Sequence, residues 1–128
     1  MTRDSINVQY PTIEDSQSVG AAKLTKSVVD VENGVTVANA FANKNNTLTI
    51  FVENTADEDS TVTFKAGDTY PNSMLGDLQI TVEDESVTAF QIQDISRFEN
   101  KDGSLKIDFG ADFEGNIYAV AKPVALNV

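Results

Sequence analysis

Thr47-Leu48-Thr49-Ile50-Phe51-Val52, Thr61-Val62-Thr63-Phe64-Lys65-Ala66, Leu78-Gln79-Ile80-Thr81-Val82 and Ser104-Leu105-Lys106-Ile107-Asp108-Phe109 share one pattern, an apolar residue at every second position. Along an extended chain successive side chains point to opposite faces, so Leu48, Ile50 and Val52 fall on one side, as do Val62 and Phe64. Leu78, Ile80 and Val82 form a third such set, and Leu105, Ile107 and Phe109 a fourth. Alternation rich in β-branched and aromatic residues marks strands with one face on a core, and these residues are the predicted core. Residues 87–92 are also strand-like, but Val87 and Ala89 are out of phase with Phe90 and Ile92. That slip predicts a bulge or a sharp twist.

Working outward, turn residues separate the runs. Asp57-Glu58-Asp59 and Glu83-Asp84-Glu85 sit between strands, and Asn100-Lys101-Asp102-Gly103 is a tight-turn sequence whose Gly tolerates positive φ. Residues 21–31 fit either a short helix or a strand. The Val28-Val29 cluster and the Asn33-Gly34 dipeptide favour a strand that returns as Val35-Thr36-Val37 through a type I′ hairpin. Residues 110–115 lead to a last strand over 116–121. Short strands at near-regular spacing predict an all-β fold, an antiparallel β-sandwich of jelly-roll or Ig-like type spanning residues 21–128.

Residues 1–20 read differently. Ile6, Val8 and Tyr10 alternate until Pro11, which cannot donate a ladder hydrogen bond, and the stretch from Glu14 to Ser18 is too polar for a core. The segment reads as an extended N-terminal arm that orders on docking. Its candidate attachment residues are Ile6, Val8, Tyr10 and Ile13, suited to adding a strand to a partner's sheet edge. The competing reading makes it a strand of the protein's own sandwich.

Composition narrows the chemistry. Twenty acidic residues against nine basic ones give a formal charge of −11. That balance opposes nucleic-acid binding, which depends on Lys and Arg at phosphates, and equally opposes anionic membranes. It suits a basic protein surface. The chain has no cysteine and no histidine. Disulfides, thiolate metal sites and Ser-His-Asp triads are therefore excluded, and neither a cofactor nor a metal is expected. The first residues lack the apolar core of a signal peptide and no apolar run approaches a membrane span, so synthesis in the cytoplasm is expected.

The remaining motifs dissolve on inspection. Asp108-Phe109-Gly110 spells a kinase magnesium motif without its Gly-rich loop, strand lysine or catalytic loop. Phe98 occupies the position where an EF-hand reading of residues 100–103 would need its first acidic ligand. The acidic clusters read as solvated turns, and Asn45-Asn46-Thr47 as a glycosylation sequon without a secretory context. Arg97, at a strand end before the Asp-Gly turn, reads as an internal clamp, its planar fork tying a loop to carboxylates or carbonyls. No catalytic residue emerges, and the chain is not expected to be an enzyme.

The runs Leu48–Thr55, Val62–Gly67 and Leu75–Val82, with Ser96-Arg97-Phe98 and Asp102–Phe109, resemble small β-sandwich proteins of tailed bacteriophages. In that group the chain is a capsid decoration, or cement, protein. The likeness covers roughly residues 47–109, and this chain departs from it in the Tyr70–Met74 loop and in its acidic turns. It implies a virion structural protein on the outer capsid surface, made in the host cytoplasm. The implied partner is the major capsid protein, and the implied state is a homotrimer or other symmetric homo-oligomer. A virion-surface carbohydrate- or receptor-binding module would share the sandwich. Its stacking platform would have to come from Tyr10, Tyr70 and Tyr118, since there is no tryptophan.

Overall fold

The computed structural model describes residues 2–14, 19–21, 23–41, 48–68 and 72–121. The Asn45-Asn46-Thr47 sequon, the Tyr70-Pro71 part of the long loop and the tail from 122 onward lie outside them. The strands in chain order are β1 (Asp4–Ile6), β2 (Thr12–Glu14), β3 (Val19–Ala21), β4 (Ser27–Val28) and β5 (Val35–Val37). They continue as β6 (Leu48–Asn54), β7 (Ser60–Phe64), β8 (Leu78–Val82), β9 (Ser86–Gln91), β10 (Leu105–Phe109) and β11 (Gly115–Ala121). One helical turn, α1 (Ile95–Phe98), and a 3-10 turn (Asn72–Leu75) interrupt the β structure.

The pairings are nested. β4 pairs with β11, β5 with β10, β6 with β9 and β7 with β8, all antiparallel. That is one long hairpin with its tip at β7–β8, rolled up so that β11 also meets β6 and β10 also meets β7. The result is two facing sheets, β4-β11-β6-β9 and β5-β10-β7-β8, with β1 added at the β5 edge. This winding is the jelly roll, which selects between the two sandwich types expected. β1 is the exception to antiparallel pairing, lying parallel to β5.

The core lies between the sheets. β6, β7 and β10 alternate buried and half-buried residues without interruption, and Ile50, Val52, Val62, Leu105 and Ile107 are fully enclosed. Phe64 lies edge-on to Phe90 at 5.1 Å between centroids and tilted to Phe98 at 6.0 Å. Two expected core residues differ. Leu78 is 37% exposed and Ile80 only partly buried, because β8 is the open edge of its sheet and has no strand beyond it.

Two local expectations are corrected. β9 has no bulge, since its register against β6 runs unbroken from Thr49↔Gln91 to Asn54↔Ser86. The inward positions are simply Ser86, Thr88 and Phe90, while Val87 and Ala89 face outward. Nor does Asn33-Gly34 close a hairpin. The Asp30 carbonyl accepts both Asn33 N–H (3.2 Å) and Gly34 N–H (3.0 Å), and of the two only Gly34 has positive φ. A type I′ turn needs two such residues. The turn instead carries the chain across from β4 in one sheet to β5 in the other.

Candidate functional site

Residues 4–10 are bonded to the sandwich itself. β1 is bonded along β5, then the chain changes sheets: Gln9 N–H donates to Ala119 O (2.7 Å) and Ala121 N–H to Gln9 O (3.1 Å). Val8 is buried, its N–H held by Asn39 Oδ1 at 2.7 Å, and Ile6 and Tyr10 pack against the core. Val8 is thereby out of reach of a partner, while Ile6 and Tyr10 keep part of their surface exposed. Ile6 ends β1 on the open β5 edge, and Val8 and Tyr10 follow it outside any strand, on either side of the Gln9 bridge to β11. Of the four attachment candidates, Ile13 alone lies elsewhere.

Ile13 belongs to a third, separate sheet. β2 and β3 pair as Thr12↔Ala21, Ile13↔Gly20 and Glu14↔Val19, a two-stranded ribbon bonded to neither sheet of the sandwich. Its base is closed by a side chain. Gln9 Nε2 donates to Thr25 O and Thr25 N–H donates to Gln9 Oε1, both at 2.8 Å. The carboxamide supplies one acceptor and one donor, as a strand residue would. Among the described residues no other strand pairs with either outer edge of the ribbon, and such an edge can template another strand.

The opposite end of the sandwich is acidic. Gln9 bridges Val120 near the end of β11, whereas the acidic turns gather around Gly115 at its start, roughly 17 Å away along the strand. Asn54 organises this end. Its Nδ2 donates to Glu58 O (3.1 Å) and Glu83 O (3.2 Å), and its Oδ1 accepts from Ala56 N–H (3.1 Å). One buried amide thus joins the β6–β7 turn to the β8–β9 turn. Asp59 Oδ1 adds a bond from Asp84 N–H (3.0 Å).

Glu58 here faces Asp112 of the β10–β11 turn. Repulsion from the Asp112 carboxylate, then a hydrogen bond to it, raises the Glu58 carboxyl above its ordinary 4.5. Among the described residues no three Asp or Glu side chains converge as a metal-ligand set. The rim is a field of like charge on a rigid frame.

Arg97 acts on carbonyls. Nε donates to Gly76 O at 3.0 Å, and Nη2 reaches Asp77 O (3.3 Å) and Leu75 O (3.5 Å) while the guanidinium lies 5.2 Å over the Phe98 ring. It ties α1, capped by Asp94, to the loop before β8. Asp77 in turn accepts from Lys65 Nζ (2.7 Å) and Ala66 N–H (2.7 Å), bonds that hold its carboxyl below 3.8. Beside this clamp the two edge strands β8 and β9 leave a cleft of about 220 Å³, lined mainly by Phe64, Ile80, Phe90 and Phe98. Small-molecule sites are usually larger, roughly 300–1,000 Å³.

Comparison with family models, with curated proteins and with solved structures returns no match. Two residues central to this geometry escape a reading of the sequence. Asn54 carried a signal: it continues the inward phase of Leu48, Ile50 and Val52, so a buried amide in need of partners was implied. Gln9 carried none, since a single polar residue between Val8 and Tyr10 looks like any outward-facing strand position.

Proposed function

We propose that this chain is a non-catalytic structural protein, a bacteriophage capsid decoration (cement) protein that binds the outer surface of the assembled head and stabilises it. The observation that carries the reading is the β-ribbon, clamped at its base by Gln9 and Thr25 and paired along neither outer edge with another described strand. A rigidly rooted ribbon is suited to β-strand addition, where main-chain bonds give affinity and alternate side chains give specificity. The jelly roll is at home in viral capsid and lectin domains, which supports the reading by analogy of fold only.

Polarity agrees with it. The ribbon end engages the major capsid protein, and the acidic end, with Asp57, Glu58, Asp112 and Glu114 around one shallow depression, faces solvent. Like charge on that side keeps particles apart. A ligand that binds only the assembled lattice stabilises it by mass action.

The test compares particles with and without the protein. Heads lacking it are expected to assemble but to rupture at lower temperature. Replacing residues 12–21 by a short linker should abolish attachment while leaving the melting temperature of the protein nearly unchanged. Equal rupture temperatures with and without the protein would dismiss a cement role, and full attachment without the ribbon would dismiss the ribbon.

A further inference from the structure

The two outer faces of the sandwich differ in kind. On the five-stranded side the outward positions are polar: Thr63 is flanked by Asp108 and Gln79, and Thr61 by Thr81. Arg3 reaches Asp108 at 2.7 Å across the same face. On the four-stranded side the outward row Val28–Asn116–Glu53–Val87 is followed by Tyr118–Phe51–Ala89. Val28 is 73% and Val87 61% exposed, at the two margins of this face. Glu53 is the only charged side chain among its paired positions, and its Oε1 accepts from Asn116 Nδ2 at 2.8 Å. Ala89 is exposed, and Phe51 and Tyr118 are half-buried.

We infer that the outer face of β4-β11-β6-β9 is a self-association surface that packs against the same face of a second copy about a two-fold axis parallel to the strands. The inference goes beyond the proposed function, which names no contact between copies. Its test reads self-association with no capsid present, so either can fail alone.

The occupant follows from complementarity. A two-fold axis running between β11 and β6 keeps each row and reverses the strand order, so β4 lies over β9 of the second copy and β11 over its β6. Val28 then meets Val87 of the second copy and Tyr118 meets Phe51, while Glu53 keeps the bond to its own buried Asn116. The one charge on the face stays satisfied within its chain, and every large apolar group finds another. An axis across the strands would exchange the rows instead, leaving Val87 on Gln91 and Glu53 on Thr49. An isologous contact has to be self-complementary in this way, and only the first axis makes it so.

Charge points in the same direction. Two chains of −11 repel each other over most approaches, and this face brings them together with the least like charge. Three strands some 20 Å long and the two-residue β4, spaced about 4.8 Å apart, give a footprint of roughly 320 Å² per copy. Twice that falls below the roughly 1,200–2,000 Å² of stable complexes, so the dimer is weak and concentration-dependent. Screening of the net repulsion makes it tighter as salt rises, the reverse of an interface held by ion pairs.

Sedimentation equilibrium of the full chain up to millimolar concentration reads the first outcome. A monomer–dimer equilibrium that shifts toward dimer with added salt, and that V28K/V87K abolishes with an unchanged far-UV spectrum, is expected. The register is tested by cysteines, of which the chain has none. Treating a mixture of Val28→Cys and Val87→Cys chains with a short bifunctional maleimide, which spans the roughly 10 Å between packed sheets, should give the mixed dimer at least tenfold above either variant alone. A monomer at every concentration, a trimer, or Val28→Cys cross-linking to itself as well as to Val87→Cys would overturn the inference.

Discussion

Gln9 and Thr25 exchange two hydrogen bonds of 2.8 Å through a side chain on one side and a backbone on the other. With this pairing the chain leaves the sandwich after Tyr10 and rejoins it before β4. Both strands of the ribbon lie between the two residues. Replacing Gln9 by Ala removes both bonds from an exposed site, where each is worth about 0.5–1.5 kcal/mol. The expected outcome is a small loss of global stability, about 1 kcal/mol, or a few degrees in melting temperature. Amide exchange over residues 12–21 should accelerate far more than in β6 or β10, and attachment to capsids should weaken in step. Uniform acceleration across both sheets would show that Gln9 holds the sandwich and not the ribbon.

Asn54, 1% exposed, is the corresponding joint at the acidic end. Asn54→Leu keeps the branched shape with bulkier methyls but strands Ala56 N–H and the carbonyls of Glu58 and Glu83, at a cost of at least about 2–3 kcal/mol. Asn54→Asp should be worse at neutral pH, because its charge would sit against two carbonyls, and milder in acid, where it can donate. Urea unfolding at two pH values checks the ordering. Equal loss for both variants at both pH values would remove the role assigned to the amide.

How much of this was legible in the sequence depends on where each residue's partner lies. β6, β7 and β10 were read from alternation alone, because their inward phase is uninterrupted and each side chain answers to one core. β9 was misread because Val87 and Ala89 are apolar yet outward. Their apolarity belongs to the exposed face they share with Phe51, and periodicity cannot tell a face meant for a core from another apolar face. The Asn33-Gly34 turn was found and its topology missed, since a turn signal says that the chain reverses and not which sheet it enters. Of Ile6, Val8 and Tyr10 only Ile6 lies in a strand, and that strand pairs within the chain; strand addition within a chain and between chains leaves the same pattern in the sequence.

The pH dependence follows from opposed shifts. Glu58 is raised above 4.5 by Asp112, so its contribution to stability is fully present below 4.5 and is lost as pH rises through the raised value. Asp77, held down by its bonds to Lys65 and Ala66, and Asp102, held down by its bonds to Ser104, behave in the opposite sense. Their contributions are present above 3.8 and lost as pH falls through the depressed values. Melting temperature should therefore rise as pH is lowered from neutral toward 4.5, and fall again well below 3.8. Glu58→Gln should raise the neutral-pH melting temperature and flatten the upper part of that profile. A melting temperature that falls steadily from pH 7 downward in the parent chain would refute this account of the Glu58–Asp112 pair.

Gly115 and Gly103 set the sharpest contrast for a single methyl group. Gly103 has φ +82° with open space around the position of a Cβ. Gly103→Ala therefore meets only the intrinsic cost of the left-handed region, roughly 1–2 kcal/mol. Gly115 has φ +151°, and a Cβ there would lie 1.8 Å from the Glu53 carbonyl oxygen. That oxygen is backbone of β6 in the ladder that joins the two central strands of the four-stranded sheet, and Gly115 O also accepts Val29 N–H at 2.9 Å. Relief requires β11 to part from β6 at its first residues, which also loosens β4 and the β10–β11 turn. Gly115→Ala should cost well over 3 kcal/mol, within the exceptional range for one substitution. Thermal unfolding of the two variants side by side decides the matter. If Gly115→Ala melts within a few degrees of Gly103→Ala, the close approach of β11 to β6 at this point is not what the glycine is there to permit.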